Sequence, residues 1–80
     1  MIRFKLKELI AEKEFQDKRN ITIKEIADNT GINRMTLSKI LNHPGHSTTT
    51  TNIDKLCQFF QCSVGDLMIH LPEETDKNKD

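Results

Sequence analysis

Tryptophan is absent from the chain, and four phenylalanines make up its whole aromatic content. With 35% apolar residues in 80, that scarcity limits the protein to one small domain around a single modest core, and makes a large active-site cavity unexpected. Long hydrophobic runs are lacking too. Nothing approaches the roughly 18 consecutive apolar residues of a membrane span. The N-terminal stretch MIRFKLKELIAEKEF mixes charge with apolar residues in helical phase, unlike a signal peptide. No membrane partner is expected, and the cytoplasm is the default compartment. Catalytic signatures are also missing. There is no glycine-rich phosphate loop and no Ser/His/Asp or Cys/His arrangement at a convincing spacing, and the carboxylates are scattered. These absences argue against an enzyme and against any cofactor.

One further absence is local. Acidic residues number 12 of 80, yet none occurs between Asp28 and Asp54. The formal net charge of zero hides this unevenness. Residues 1–61 carry ten Lys/Arg against seven Asp/Glu, whereas residues 62–80 carry two against five. The acid-free window holds Arg34, Lys39, His43 and His46. Phosphate attracts cations and repels carboxylates, so a surface facing double-stranded DNA has this character. With only two full positive charges in the window, one copy should bind weakly, which favours a homodimer or several weak contacts.

What is present in that window has the spacing of a helix-turn-helix: TIKEIADNTGINRMTLSKILN, Thr22 to Asn42. Thr22 is placed to N-cap a short first helix, with Glu25 as its capping-box partner. Ile26 and Ala27 begin that helix's inward face, and the small Ala27 allows a second helix to cross nearby. Gly31 takes positive φ at little steric cost, so the chain reverses sharply there. Asn33 suits the N-cap of the next helix, whose apolar stripe is Leu37, Ile40 and Leu41. Arg34, Met35, Thr36, Ser38, Lys39 and Asn42 then lie mostly on the opposite face, which in a helix-turn-helix enters the major groove. Two short amphipathic helices joined by a glycine also occur in all-α domains that never touch nucleic acid. The missing acids favour DNA.

The remaining elements are helical. A first helix is expected from about Ile2 to Lys18, burying Ile2, Leu6, Leu9 and Ile10, followed by the polar connection QDKRN. After the motif comes the loop HPGHSTTTT. Pro44-Gly45 is turn chemistry there, and four β-branched threonines resist helix formation. A fourth helix is expected over about Asn52 to Gln61, burying Ile53, Leu56, Cys57 and Phe60. Ser63 and Asp66 should box the start of a fifth, with Val64, Leu67 and Met68 inward and Pro72 as its stop. Residues 1–72 thus form the domain and residues 73–80 an acidic flexible tail.

Cys57 and Cys62, with His43 and His46, supply potential zinc ligands, but their order and spacing match no common finger. No metal is expected. A five-residue separation on one helix would point the two thiols apart, so a disulfide is not expected either, and Cys57 reads as a small core hydrophobe.

IADNTGINRMTLSKIL followed by NIDKLCQFFQCSVGDLMIHLPEE resembles the lambda-repressor/Cro type (Xre-like) of helix-turn-helix regulator, in particular its small stand-alone branch from bacteria and phages. The resemblance covers about residues 2 to 74. It implies an all-α, five-helix lambda-repressor-like DNA-binding domain, two-fold dimers on operator DNA, and a role as a repressor or antitoxin-like autoregulator. By the same resemblance Asn33, Arg34, Met35, Ser38 and Lys39 fall where the family reads bases and nearby phosphates, and Asn42 where it grips the backbone. Many relatives carry Gln at the start of the first motif helix to hold a phosphate. Here Ile23 stands instead, which leaves Thr22 or Lys24 to make that contact. The loop His43 to Thr51 is longer than in the phage repressors. Its hydroxyls, notably Thr48 and Thr49, together with His43 and His46, either approach phosphates or stand in solvent.

Arg34 is the best placed for a bidentate contact to guanine, the alternative being phosphate alone. Lys39 is expected to meet phosphate or guanine rather than an internal acid, since no carboxylate lies near it in sequence. Met35 faces either a thymine methyl or its own packing partners. Phe59, Met68, Ile69 and Leu71 exceed the needs of one small core and are the candidate dimer surface, unless a phenylalanine completes the monomer core. A protein-interaction role, binding a toxin or another regulator, is the competing function.

Overall fold

Each of the five helices contributes at least one fully buried side chain. The computed structural model describes residues 1–43 and 45–72, and within them the order is β1 (Ile2–Phe4), α1 (Leu6–Asp17), α2 (Ile23–Thr30), α3 (Arg34–Asn42), α4 (Thr50–Phe60), α5 (Val64–Leu67) and β2 (Met68–His70). Leu6, Ile26, Leu37, Ile40, Leu56 and Leu67 are buried to within 1% of completely, so α1 to α5 all converge on one centre. At roughly 1.5–3 kcal/mol for each buried aliphatic side chain, this cluster is the main stabilising term of the domain. Phe4, Ile21 and Ile32 complete the buried apolar set, and Leu9, Ile10, Ile53, Cys57 and Phe60 pack against it half-buried.

The helical, five-helix architecture is as expected, but the first helix starts later. Residues 2–4 are a strand, antiparallel to β2, with Ile2 opposite His70, Arg3 opposite Ile69 and Phe4 opposite Met68. Ile2 is therefore 42% exposed rather than buried in a helix, while Phe4 is 5% exposed. The segment Ile2-Arg3-Phe4-Lys5 alternates apolar and charged with the period of a strand. That signal is overlaid by the helical spacing of Leu6, Leu9 and Ile10 just after it, and its pairing partner lies at the far end of the domain. Backbone bonds extend the join: the Met1 ammonium donates to the Leu71 carbonyl at 2.8 Å, Leu71 N–H to Met1 O at 2.7 Å, and Lys5 N–H to Leu67 O at 2.6 Å.

The same pairing shortens the fifth helix. The Asp66 carboxylate accepts from the N–H and hydroxyl of Ser63 at 3.3 and 3.1 Å, so the expected start is made. The helix then ends at Leu67, not at Pro72, because Met68 turns extended (φ −144, ψ 153) and joins β1. Val64 is 54% exposed instead of inward, whereas Leu67 is buried and Met68 half-buried as expected. α4 begins two residues early. Thr50 and Thr51 enter its first turn because the Thr49 hydroxyl caps it, accepting from Asn52 N–H at 3.1 Å. The turn at Pro44 and the acidic tail 73–80 lie outside the described residues.

The link between α1 and α2 is held by specific bonds. Lys18 ends α1 in a left-handed conformation (φ 57). The Glu14 carboxylate accepts from Ile21 N–H at 2.8 Å, setting Ile21 into the core. The Arg19 guanidinium grips Glu25 through both nitrogens at 2.7 and 2.6 Å. Glu25 therefore spends its carboxylate on Arg19 rather than on closing the capping box with Thr22.

Candidate nucleic-acid interface

The helix-turn-helix is built as its spacing predicts. The Thr22 hydroxyl accepts from Glu25 N–H at 3.1 Å and opens α2. Gly31 follows at φ 78, ψ 6, its N–H donating to Ala27 O at 2.8 Å. The buried Thr30 fastens the turn: its hydroxyl donates to Ile26 O at 2.7 Å and accepts from Ile32 N–H at 3.2 Å. Asn33 caps α3, its side-chain oxygen accepting from Met35 N–H at 2.6 Å. Leu37 and Ile40 drop into the core with Leu41 half-buried, which fixes the rotation of α3 about its axis.

That rotation leaves one flank in solvent. Asn33, Arg34, Met35, Lys39 and Asn42 are exposed, and Thr36 and Ser38 half-buried. Met35, at 66% exposed, is therefore not a packing residue. Asn42 donates its amide to the Ser38 hydroxyl at 3.2 Å, so these two side chains are organised as a pair. The ion pairs among the described residues engage Arg3, Lys13, Arg19 and Lys24. Arg34 and Lys39 belong to none of them. A cation that makes no ion pair among the described residues, on a helix that itself carries no carboxylate, keeps its attraction for a phosphate or a guanine edge.

The residues expected to meet phosphate are more occupied. Thr22 and Thr49 are caps, and the Thr48 hydroxyl accepts from the Asn52 amide at 3.0 Å. Lys24 pairs with Asp28 at 2.9 Å, which offsets its charge. His43 is the exposed C-cap residue of α3, its N–H donating to Lys39 O at 2.8 Å. Ile23 packs half-buried against the core and offers no polar group to DNA. Near Thr22, the hydrogen bond from Arg19 holds Glu25 below the usual carboxylate range, and Glu25 in turn raises Arg19. The one acid in the first turn of α2 is thus already matched by a cation.

Sequence reasoning passed over Lys55. Its ammonium stands 4.0 Å from where a Cβ on Gly31 would lie, beside the turn of the motif. Lys55 is on α4, and no local pattern links it to a glycine so distant in the chain; only the packing of α4 on α2 brings them together. It places a cation beside the turn of the motif.

A groove of about 660 Å³ lies elsewhere, between α1 and the α4–α5 turn, with Lys5, Glu8, Glu12, Lys13 and Cys62 in its walls. It contains no residue of α3 and its charges are of both signs. Among the described residues no helix is long and apolar enough to cross a membrane, and no group of three or more His, Cys, Asp or Glu could hold a metal ion.

No curated protein and no solved structure gives a significant match to the chain. The family description of the Cro/C1-type HTH DNA-binding domain matches residues 5–73, spanning all five helices and β2. The chain belongs to the family of Cro/C1-type helix-turn-helix DNA-binding domains.

Proposed function

We propose that the protein is a cytoplasmic, sequence-specific transcriptional repressor that inserts α3 into the major groove of its operator. The observation that carries this reading is the exposed flank of α3, a helix without carboxylates, on which Arg34 and Lys39 pair with no acid among the described residues. Arg34, in the first turn, reads guanine through O6 and N7. Met35 covers a thymine methyl, with Thr36 beside it. Asn33, Ser38, Lys39 and Asn42 fix the helix against neighbouring bases and phosphates. Thr22, Thr49 and Thr48 act chiefly by ordering the first turns of α2 and α4, whose free N–H groups then face the phosphates. Lys24 and His43 add weaker contacts.

The protein works as a homodimer, because the few bases within reach of one α3 give little specificity. Two-fold pairing sets half-sites about one helical turn apart. Support comes from Met1 and Ile2, 60% and 42% exposed at one end of the paired strands, while Ile69, 41% exposed, stands with Arg3 on the other face. A Cβ on Gly45 would stand 3.1 Å from the Met1 side chain, so this apolar end adjoins the loop that follows α3. Pairing there would bring two α3 helices towards one another. Phe59 is a weaker candidate for the interface. It meets Phe60 edge-on, with centroids 4.9 Å apart, and is half-buried on its own core.

A second reading, binding to a toxin or regulator protein, draws support from Phe15, which is 85% exposed on α1. Salt separates the two. Affinity for duplex DNA should fall steeply between 50 and 200 mM salt, by about tenfold or more even for few phosphate contacts. A salt-insensitive association confined to protein partners would favour the second reading.

A further inference from the structure

α4 does not end as a plain helix, and its ending brings together two side chains that the helix itself would separate. Gln61 takes the left-handed conformation (φ 53, ψ 52), and Cys62 N–H donates back to Cys57 O at 3.0 Å. This six-to-one bond defines a Schellman turn, in which the side chains on either side of the reversal meet. On an uninterrupted helix, positions 57 and 62 would point apart. The expectation of separated thiols is therefore overturned at Gln61. Most such turns fill the contact with two hydrocarbon side chains. Here both are thiols, and Cys57 stands near enough to Cys62 to help raise its thiol. Both are half-buried, and Cys62 opens onto the groove between α1 and the turn.

We propose that Cys57 and Cys62 form a two-thiol chelating site for a soft, thiophilic centre of low coordination number, of which a trivalent arsenical is the representative chemistry. Soft sulfur ligands select soft centres. Among the described residues no third His, Cys, Asp or Glu joins the pair, which excludes the tetrahedral set that zinc takes. A bridging atom also suits this geometry better than a disulfide. A disulfide must draw the sulfurs to about 2.05 Å and needs an oxidant. A chelated centre leaves them near the separation of a thiol–thiol contact.

The chemistry balances without redox change. With phenylarsine oxide, two As–S bonds form as the arsenic–oxygen bond breaks, both thiol protons pass to that oxygen, and it leaves as one water. Arsenic stays trivalent. Burial first, and the neighbouring Cys57 second, push the Cys62 thiol up to about 11. The resting Cys62 is thus a thiol, the form that this exchange consumes. The site stands independently of the DNA-binding reading.

The test treats the reduced full-length chain with one equivalent of phenylarsine oxide, then challenges it with increasing 2-mercaptoethanol, following intact mass and free thiols. One adduct per chain with both thiols consumed is expected. Its removal should need a monothiol concentration on the order of 10² times that needed for Cys57→Ser or Cys62→Ser, the gain that linking two ligands provides. Removal at the same concentration as from either variant, or two arsenicals per chain, would overturn the proposal. Should Cys57→Ser fail to fold, Cys62→Ser and the wild-type chain in urea serve. If the unfolded chain, which has lost the turn, holds its adduct as firmly as the native one, the proposal also fails.

Discussion

At the scale of single residues, Gly31 and Arg34 carry different kinds of information. Gly31 sits at φ +78, and a Cβ at this position would meet only the Lys55 ammonium, at an ordinary 4.0 Å. A Gly31→Ala change therefore meets no clash, and its cost is conformational. Urea denaturation should show a loss of about 1–2 kcal/mol, the penalty for an L-residue in the left-handed region. Arg34 makes no ion pair among the described residues, so its loss should leave stability unchanged while costing about 1–3 kcal/mol in binding to the specific site and relaxing one base position. An equal loss on specific and random DNA would assign Arg34 to the backbone. Cys62 gives a prediction in pH. Its thiol titrates near 11 in the folded chain against an ordinary 9.0, so the unfolded chain loses this proton first as pH rises. The stability linked to it is complete below about pH 9 and declines from there to about pH 11, and this alkaline loss should shrink in Cys62→Ser. Single residues were legible in the sequence wherever local chemistry decides: Thr22, Gly31, Asn33 and Ser63 all act at the ends where their side chains predict. Lys55 and Cys62 were not, because their neighbours are set by packing and by a left-handed residue, Gln61, that is not glycine.

At the scale of elements, the contrast lies between the helix-turn-helix and the chain ends. The motif could be read directly because both of its helices have apolar stripes in phase and capping residues at their starts. The β1–β2 pair could not. Each strand has three residues, and neither would be stable alone. Only their mutual bonds, and the insertion of Phe4 into the core, make them strands. Phe4→Ala should therefore cost about 3–5 kcal/mol in thermal or urea unfolding, the range for removing a buried aromatic ring, whereas Ile2→Ala at 42% exposure should cost far less. If the two substitutions cost the same, β1 does not anchor the fold as described. α4 offers a parallel case. Loss of the Thr49 cap in Thr49→Ala should lower stability by about 1 kcal/mol. Its effect on DNA affinity then has to be judged against Thr48→Ala, which removes a hydroxyl that accepts from the Asn52 side chain.

At the scale of the whole molecule, a single core receives side chains from every helix, and its job for function is to hold α3 at one rotation. Leu37 and Ile40 on one side of α3 imply Met35 and Lys39 on the other, with Arg34 exposed at the helix's first turn, and the gap in acidic residues from Asp28 to Asp54 means that α3 itself brings no carboxylate to that surface. The remaining charge is arranged elsewhere, in pairs such as Arg19–Glu25 and Arg3–Glu8 that tie the connections and the N-terminal strand. The most direct measurement is selection of bound duplexes from a random DNA pool at low ionic strength, carried out in parallel with the wild-type chain and Arg34→Ala. The account predicts a defined half-site containing a guanine for the wild type, and the loss of preference at that one position for Arg34→Ala. Retention of no duplex, or an identical site selected by both chains, would contradict it.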